Sequence, residues 1–331
     1  MGRRVAVIGS NSFSGGDLVD LLLEKGGYEV LGSSRSPEKS ALYLRYKRHG
    51  ASAPFRYVQA DHNTQLEGLI AALDDFRPEW VVNFAAQSEV APSWEHPDHW
   101  FRTNTVALSL LVQALSKRDY VKRYLHVSSP EVYGTCEGRV TEEAPMRPST
   151  PYAASKAAAD LLLATYLKQY RFPLLSVRST NVYGAHQQPW KIIPRTAIYL
   201  KRRQRIQLHG GGVAVKSYIH IRDISEGELA ILERGRVGEL YHLSPDRGVE
   251  VRQVVRTMCE LAGARYEDSV ETVGERPGQD AAYVIDSTKA RAQLGWMPRV
   301  DLSAGLAEVH RWVTDSWNEL RSEDPEYRHR P

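Results

Sequence analysis

Cysteine is scarce in this chain of 331 residues, which contains only Cys136 and Cys259. Two cysteines make neither a disulfide framework nor a zinc-ligand spacing, which excludes the small secreted scaffolds and favours a reducing compartment. No apolar run approaches the roughly 20 residues that span a bilayer. Residues 1–10 lead directly into a strand-like segment, without the apolar stretch of a secretory signal. We therefore expect a cytoplasmic protein with no membrane partner and no metal site.

Charge of one sign is not in excess either, because 43 basic and 40 acidic residues give a formal net charge of +3. So small an excess does not indicate a nucleic-acid partner. With 42% hydrophobic and 25% charged residues, the composition is that of a soluble globular protein. The length allows two domains, or one large domain with an added lobe.

The first half of the chain alternates short apolar runs with longer segments of helical periodicity. This rhythm is typical of βαβ units and predicts a Rossmann-like, doubly wound parallel sheet of the α/β class. The expected strands are residues 4–8, 28–32, 55–59, 80–84, 124–127 and 174–177. After about residue 185 polar loops and scattered helices follow, which predicts a smaller, mixed α/β C-terminal lobe on the carboxyl edge of the sheet.

These patterns divide the chain into three parts. Residues 1–185 are expected to form the Rossmann-like domain, a fold that commonly binds dinucleotides such as NAD(P). Residues 186–321 are expected to form a substrate-binding lobe, and the pattern leaves open a return of some of this chain to the first domain. Residues 322–331 hold two prolines, much charge and little apolar content, so we expect a mobile tail.

A glycine-containing turn, GSNSFSGG at residues 9–16, lies between the first expected strand and the first expected helix. In dinucleotide-binding folds such glycines allow a tight turn and a close approach of the backbone to a pyrophosphate. Two of the three customary glycines are present, Gly9 and Gly15, and the hydroxyl of Ser12 between them can donate to phosphate. The turn predicts cofactor contacts from residue 9 and from Ser12, Phe13, Ser14 and Gly15, although a plain strand-turn-helix would show the same pattern.

The end of the second expected strand bears on the choice between NAD and NADP. An acidic residue there holds the ribose hydroxyls of NAD, whereas an arginine suits the 2′-phosphate of NADP. In EVLGSSRSPEK the strand ends without an acid and Arg35 follows, so the sequence favours NADP slightly over NAD; an exposed loop arginine is the alternative. Asp61 after the third strand and Ala85 and Ala86 after the fourth are expected to border the adenine and the diphosphate.

Tyr152 and Lys156 in TPYAASKAAAD are four residues apart at the start of an expected helix, so their side chains share one helix face. A tyrosine is a poor base near neutral pH, but an adjacent ammonium and a cationic nicotinamide favour its phenolate. Taken alone, the two residues could be an ordinary surface pair. The hydroxyls of Ser128 and Ser129 at the end of the preceding strand favour a catalytic group instead.

In their order along the chain, these motifs resemble the extended short-chain dehydrogenase/reductase family, and within it the nucleotide-sugar epimerases and dehydratases. The resemblance covers nearly all of the chain and rests on the glycine turn, NFAAQSEV, FRTNT, VSSPEVYG, PYAASK, RSTNVYG, LHGGGVAVKSYIHIRDI, ERPGQD and YVIDSTKARAQLGW. It implies that Tyr152 takes the proton of a sugar C4 hydroxyl while a hydride leaves C4, and that Ser129 holds that oxygen. Lys156 then tunes Tyr152 and, with it, contacts a tightly held NAD or NADP that is regenerated in each turnover.

Glu131 in VSSPEVYG bears on which reaction follows the oxidation. A 4-keto sugar has an acidified C5 proton, and a carboxylate can remove it so that water leaves from C6. The resemblance therefore favours an NDP-sugar 4,6-dehydratase over a C4 epimerase, in which this position is usually small or hydroxylic. Nucleotide-sugar acid decarboxylases also carry a glutamate here, so an NDP-hexuronic acid decarboxylase stays an alternative. Pro130 stands where glucose-type dehydratases have a proton-donating aspartate, which mannose-type dehydratases also lack.

The same resemblance implies that Asn104 contacts the cofactor. Substrate contacts are expected from Gln87, Ser88, Ser129, Asn181, Arg195, Lys216 and Arg276. Lys216 replaces a customary arginine and so keeps the charge but loses the bidentate fork. Family members commonly form homodimers through helices near residues 103–118 and 152–170, so we expect a homodimer. A catalytically silent cofactor sensor is the non-enzyme alternative, against which the intact catalytic group counts.

Overall fold

A computed structural model describes residues 2–135, 138–274 and 282–330. Its strands are β1 (Arg3–Ile8), β2 (Tyr28–Ser34), β3 (Phe55–Gln59), β4 (Trp80–Asn83), β5 (Arg123–Val127), β6 (Leu174–Ser179), β7 (Asn181–Tyr183), β8 (Ile206–His209), β9 (Val215–Lys216), β10 (Tyr218–His220), β11 (Leu240–Leu243), β12 (Val249–Glu250), β13 (Val270–Val273) and β14 (Ala282–Tyr283).

Its helices are α1 (Phe13–Lys25), α2 (Leu66–Phe76), α3 (Pro97–Phe101), α4 (Leu108–Leu115), α5 (Pro151–Tyr170), α6 (Ile192–Lys201), α7 (Ile221–Arg234), α8 (Val251–Leu261), α9 (Tyr266–Ser269), α10 (Thr288–Leu294), α11 (Leu302–Asp315) and α12 (Trp317–Leu320). Short 3₁₀ helices lie at Arg45–His49, Ala91–Ser93, Pro130–Tyr133 and Gly210–Gly212, and a π-helical turn covers Arg102–Ala107.

Seven parallel strands form the central sheet, in the order β11, β6, β5, β4, β1, β2, β3. The chain winds outward from β1 in both directions, so β2 and β4 lie on opposite sides of β1. In doubly wound sheets this reversal opens a crevice at the carboxyl ends of the strands, where ligands bind. The expected Rossmann-like fold is confirmed, and the crevice lies beside Gly9, which follows β1.

Helices cover both faces of the sheet, so its strands are apolar on both sides. In β1, Val5 and Val7 pack into a core with α1, α7 and α10. The alternate residues Ala6 and Ile8 pack on the other face with α2, α4 and α5. The strand ends are therefore held rigidly where the loops of the crevice begin.

All six expected strands are present, with ends that differ by at most two residues from the predicted ones. The sequence did not predict β11, because its four residues, LYHL, are too few to show a period. This strand pairs with β6, and α7 packs on α1, so two elements from the range expected for the C-terminal lobe belong to the sheet domain. The domain boundaries themselves stay a prediction.

The C-terminal lobe has a core of its own, in which α6, α8 and α11 bury Ile198, Met258 and Val309. Three small sheets surround it, formed by β7 with β10, by β8 with β13, and by β9 with β12 and β14. Across the described residues, no helix combines the length and the apolar character that a membrane crossing needs. Residues 322–330 lie against both halves of the molecule, and the mobility expected of this tail stays a prediction.

Candidate active site

A cavity of about 640 Å³ opens at the carboxyl edge of the sheet, where β1, β2, β3 and β4 end. It is lined by eight residues for which the sequence predicted cofactor or substrate contacts: Gly9, Ser12, Arg35, Asp61, Ala85, Ala86, Gln87 and Ser88. These residues come from four loops that are well separated in the sequence. Because parallel strands end at one edge of the sheet, the fold brings the four loops around a single space.

Gly9 and Gly15 shape the turn between β1 and α1. Gly9 has a φ of 91°, in the left-handed region that favours glycine, and a Cβ there would lie 2.8 Å from the amide nitrogen of Ala85. A Cβ on Gly15 would collide with the carbonyl oxygen of Gly9. Ser12 is the N-cap of α1: its hydroxyl accepts a hydrogen bond from the amide of Gly15 at 3.0 Å and keeps its own proton to donate. Phe13 and Ser14 are the first two residues of α1.

Two polar atoms of the cavity residues also point to a polar ligand. Within the described part of the chain, Asn11 Oδ1 and Asn63 Oδ1 are buried without a hydrogen-bond partner. The orientation of Asn11 is fixed, because its Nδ2 donates to the carbonyl oxygen of Pro37 at 2.8 Å and to the hydroxyl of Tyr57 at 3.0 Å. Buried amide oxygens seldom stay unpaired. Together with the glycine turn, these groups fit the adenosine diphosphate part of a dinucleotide.

Ser129 and Glu131 lie just beyond the carboxyl end of β5. Ser129 is the N-cap of the 3₁₀ helix Pro130–Tyr133, and its Oγ accepts a hydrogen bond from the amide of Glu131 at 3.3 Å. Pro130 takes the first helical position, where its fixed φ is suitable and its missing N–H costs nothing. Ser128, Ser129 and Pro130, which are unfavourable residues in a sheet, thus end the strand and start a turn.

Tyr152 lies in the first turn of α5 and is 8% exposed, and Ser129 is close enough to influence the pKa of its hydroxyl. Burial, followed by the negative charge of Glu131, raises the pKa of Tyr152, and the hydrogen bond with Ser129 offsets this only in part. The sequence led us to expect that Lys156 favours the phenolate. In the chain alone, burial dominates and Tyr152 is held as a phenol.

Lys156 is buried one turn further along α5, and its Nζ donates to the carbonyl oxygen of Val127 at 2.7 Å. Burial lowers the pKa of Lys156 to about 8, the carboxylate of Asp160 opposes this, and the guanidinium of Arg178 adds to it. The ammonium is therefore anchored to the end of β5 and titrates close to neutral pH.

Asp160 lies behind this group and has no counterpart among the residues that the sequence predicted. Arg178 Nη2 donates to Asp160 Oδ2 at 2.6 Å, Ser128 Oγ donates to the same oxygen at 2.7 Å, and His126 Nε2 is 3.4 Å from Oδ1. Burial raises the pKa of Asp160, but His126 and Arg178 outweigh it and hold the pKa below its usual value. This anion joins β5 and β6 to α5 beneath Lys156. Its signal in the sequence is the spacing of four residues from Lys156.

Comparison with known proteins agrees with this geometry. The model of the GDP-mannose 4,6-dehydratase family matches residues 7–309. The dTDP-glucose 4,6-dehydratase of Streptomyces griseus is 32% identical over 327 residues, which are 94% of each chain. That of Streptomyces niveus is 33% identical over 276 residues, 82% of this chain and 80% of the relative. The crystal structure of dTDP-glucose 4,6-dehydratase from Streptomyces venezuelae, with NAD bound, has a TM-score of 0.86 at 30% identity and covers 96% of this chain and 98% of that chain.

The chain belongs to the GDP-mannose 4,6-dehydratase family. The resemblance to the extended short-chain dehydrogenases/reductases of the nucleotide-sugar kind is thereby confirmed. A UDP-glucuronic acid 4-epimerase from Bacillus cereus has a TM-score of 0.87, but at 23% identity it shows the shared fold alone.

The substrate residues expected of this dehydratase family are only partly brought together. Asn181 begins β7, and its side-chain Oδ1 is buried and unpaired. Its backbone N–H donates to the carbonyl oxygen of Ser217 at 3.0 Å, so Lys216, the residue before Ser217, is close to Asn181. Lys216 is buried, at 9% exposure. Arg195 in α6 instead faces the C-terminal tail, where its Nη1 is 3.8 Å from the carboxylate of Glu326. Arg276 lies outside the described residues.

Asn104 lies behind the loop that carries the cavity residues after β4. It belongs to the π-helical turn and is 3% exposed. Its Oδ1 accepts from the amide of Gln87 at 2.8 Å, while its Nδ2 donates to the carbonyl oxygen of Gln87 at 3.0 Å and to Ser155 Oγ at 2.9 Å. These bonds fix the backbone of Gln87 against the π-helical turn, and the cofactor contact expected of Asn104 stays a prediction. Its neighbour Thr103 lines the cavity.

Proposed function

We propose that this protein is an NDP-sugar 4,6-dehydratase that uses NAD. The observation that carries the proposal is the carboxylate of Glu131, which lies two residues after Ser129 and is close enough to Tyr152 to raise its pKa. A carboxylate at this place supplies the base that elimination of water requires. The similar proteins named as dTDP-glucose 4,6-dehydratases support the same reaction class.

The reaction needs proton transfers at three positions of the sugar. Tyr152 would accept the proton of the C4 hydroxyl, with Ser129 holding the oxygen. NAD, when bound, accepts the hydride from C4 and returns it at C6. Glu131 would remove the C5 proton and deliver it to the departing C6 hydroxyl, because Pro130 has none to give. As the hydride returns at C6, a proton from solvent would add at C5. Lys156, anchored on the carbonyl of Val127, would hold the nicotinamide ribose.

NAD is proposed in preference to NADP. The slight preference for NADP that Arg35 indicated is not supported, because the similar dehydratases from Streptomyces venezuelae and Bacillus anthracis were crystallised with NAD. In this chain Arg35 Nη2 donates to a backbone carbonyl, that of Arg330, at 3.2 Å. We expect tighter equilibrium binding of NAD than of NADP to cofactor-free protein; the reverse order would restore the NADP assignment.

A solvent-isotope experiment tests the reaction. The purified protein with NAD is incubated in D₂O with NDP-hexoses that differ in base and sugar, and the products are followed by NMR. We expect a 4-keto-6-deoxy sugar with one solvent deuterium at C5 and loss of the C6 oxygen. A product inverted at C4 that keeps its C6 oxygen would show an epimerase instead.

The decarboxylase alternative is kept because Glu131 is compatible with it. An NDP-hexuronic acid in the same assay distinguishes the two, since a decarboxylase releases carbon dioxide from it and leaves the NDP-hexoses unchanged. We expect no such release from this protein.

We also propose a homodimer that forms through α4 and α5. Val106, just before α4, is 54% exposed, Leu110 in α4 is 47% exposed, and Leu161 in α5 is 59% exposed. Large exposed apolar side chains close together mark interaction surfaces. We expect the double variant Leu110→Glu/Leu161→Glu to sediment as a monomer, whereas Leu261→Glu, at a leucine that is 37% exposed on α8, stays a dimer. A monomeric parent protein would contradict the proposal.

A further inference from the structure

The C-terminal residues 323–330 are here called the strap, and six of the eight line the same cavity as the glycine turn. The odd-numbered residues of the strap are buried or partly buried, and its even-numbered residues are exposed. A period of two is that of an extended chain lying on a surface. The strap therefore lies along the molecule in a defined register.

The first half of the strap is bound to the C-terminal lobe. Arg202 Nη2 donates to the carbonyl oxygen of Glu323 at 2.8 Å, and the hydroxyl of Tyr199 donates to Glu326 Oε1 at 2.8 Å. The rings of Trp190 and Tyr327 meet edge to face, with centroids 5.7 Å apart. Polar and aromatic contacts thus hold this half against α6 and the loop before it.

The second half of the strap is bound to the sheet domain. The ring of His329 stacks on Trp100 with a centroid distance of 4.9 Å. The carbonyl oxygen of Arg330 accepts from Gln87 Nε2 at 2.8 Å and from Arg35 Nη2 at 3.2 Å. Gln87 follows β4 and Arg35 follows β2, and these strands flank β1 on opposite sides. One backbone group of the strap therefore bridges the mouth of the crevice in which Gly9 lies.

We propose that the strap is a wall of the dinucleotide site and retains the cofactor between turnovers. A chain segment that is attached to both halves of the molecule and spans the crevice has to detach before a bound dinucleotide can leave. The inference rests on the proposed function, in which the hydride returns to the sugar it came from and the cofactor has no need to leave. Slow release therefore costs such an enzyme nothing.

Three imidazole rings make the attachment dependent on pH. His96, His99 and His329 have centroids 5.1 Å apart, and His329 Nε2 is 2.8 Å from His99 Nδ1. Burial, then the charges of His99 and His96, lower the pKa of His329 from 6.5. The other charged or titratable groups that face His329 are Arg35, which also lowers this pKa, Glu95, which raises it, and Tyr327. Because attachment favours the neutral ring, it is complete above about pH 6.5 and is lost as the pH falls below that value.

The planes of the three rings lie within 20° of one another. In residues 2–135, 138–274 and 282–330, no three His, Cys, Asp or Glu side chains are arranged to hold a metal ion.

Two variants remove the strap or its anchor. A chain that ends at Glu323 keeps α12 and the bond from Arg202, and His329→Ala removes only the stacked ring. His310→Ala in α11 is the matched control, since it removes a histidine of the same lobe away from the strap. The readout is the rate at which NAD dissociates from preloaded protein. We expect both strap variants to release NAD about tenfold faster or more, from the loss of the stacking contacts, and the control to match the parent within about twofold.

Hydrogen exchange followed by mass spectrometry reports on the strap itself, in protein without cofactor or substrate. We expect the amides of residues 324–330 to be protected at pH 7.5, to lose this protection in His329→Ala, and in the parent to lose it progressively as the pH is lowered below about 6.5.

The outcomes separate this inference from the proposed function. Dissociation that is no faster from the truncated chain, or strap amides that exchange as fast as an unfolded peptide, would overturn the strap and leave the dehydratase assignment standing. NAD binding by the truncated chain but not by the full chain would also overturn it, since the segment would then block the site. A protected strap and retained NAD, in a protein that converts no NDP-hexose, would instead refute the dehydratase assignment alone.

Discussion

Asp160 provides the sharpest test of how the catalytic group is tuned. The side chain of asparagine has nearly the shape of aspartate, so Asp160→Asn removes the buried negative charge with little change in volume. Arg178, which is paired with that charge, and Lys156, whose pKa the charge raises, are then left facing each other without compensation. We predict that the pKa of Lys156 falls further below its present value of about 8.

The size of the change in the pKa of Lys156 follows from its distance to Asp160 on α5. Lys156 and Asp160 are four residues apart on α5, so their side chains are roughly 6 Å from each other. At an effective dielectric constant of about 20, one unit charge at about 6 Å contributes about 2.8 kcal/mol, which is about 2 pKa units. The pKa of Lys156 would then fall from about 8 to about 6. Breaking the buried pair with Arg178 also costs about 3–5 kcal/mol of unfolding free energy.

The assay is the pH dependence of kcat/KM for the NDP-hexose that the protein converts. This quantity reports the ionisation of essential groups in the free enzyme. If the ammonium of Lys156 is needed, activity falls on the basic side near pH 8 in the parent and near pH 6 in Asp160→Asn. The double variant Asp160→Asn/Arg178→Met also removes the cation that lowers the pKa of Lys156, so we expect the basic limb to return towards that of the parent. Circular dichroism confirms that each variant is folded at the assay temperature.

Two results would contradict this reasoning. One is a basic limb in Asp160→Asn that coincides with that of the parent, since Asp160 would then have no electrostatic effect on the group that titrates. The other is a double variant with a limb as low as that of the single variant, since the remaining shift could not come from Arg178.

Three further predictions concern Glu131, Gly9 and Glu228. Glu131→Gln removes the proposed base, so we expect dehydration to slow by about 10²–10⁴-fold, with loss of deuterium uptake at C5 by NMR; a variant that still exchanges C5 would assign that step elsewhere. Gly9→Ala places a Cβ 2.8 Å from the backbone nitrogen of Ala85, at a residue whose φ is 91°. We therefore expect a loss of about 1–3 kcal/mol in the free energy of unfolding and weaker NAD binding. An unfolding curve that the alanine leaves unchanged would refute the strain at Gly9. Glu228 is buried and burial raises its pKa well above 4.5; the protonated form is therefore favoured, and its stabilising contribution is lost as the pH rises. We accordingly expect Glu228→Gln to raise Tm at about pH 8 and not near pH 4; equal shifts at both would contradict the ionisation.

The sequence by itself determined the sheet and the general place of the site. The six strands that alternate with helices could be predicted because apolar periodicity depends on residues that are close together in the chain. Once the sheet is doubly wound and parallel, the loops after β1, β2, β3 and β4 must meet at one edge. This is why the sequence alone places Gly9, Arg35, Asp61 and Ala85 around one cavity.

Only the tertiary structure decided how the site is held and closed. In the sequence Asp160 is one more charge on a helix, and only the fold of β6 places Arg178 against it. Likewise, only the fold places the backbone N–H of Gln87 on Asn104 Oδ1. Residues 322–331 have the charge and proline content of a mobile tail, which is a property of the segment alone. The surroundings of residues 322–330 are set by Trp100 and Trp190, which lie far away in the sequence. Contacts across such separations leave no period or motif in the chain, so only folding can bring them together.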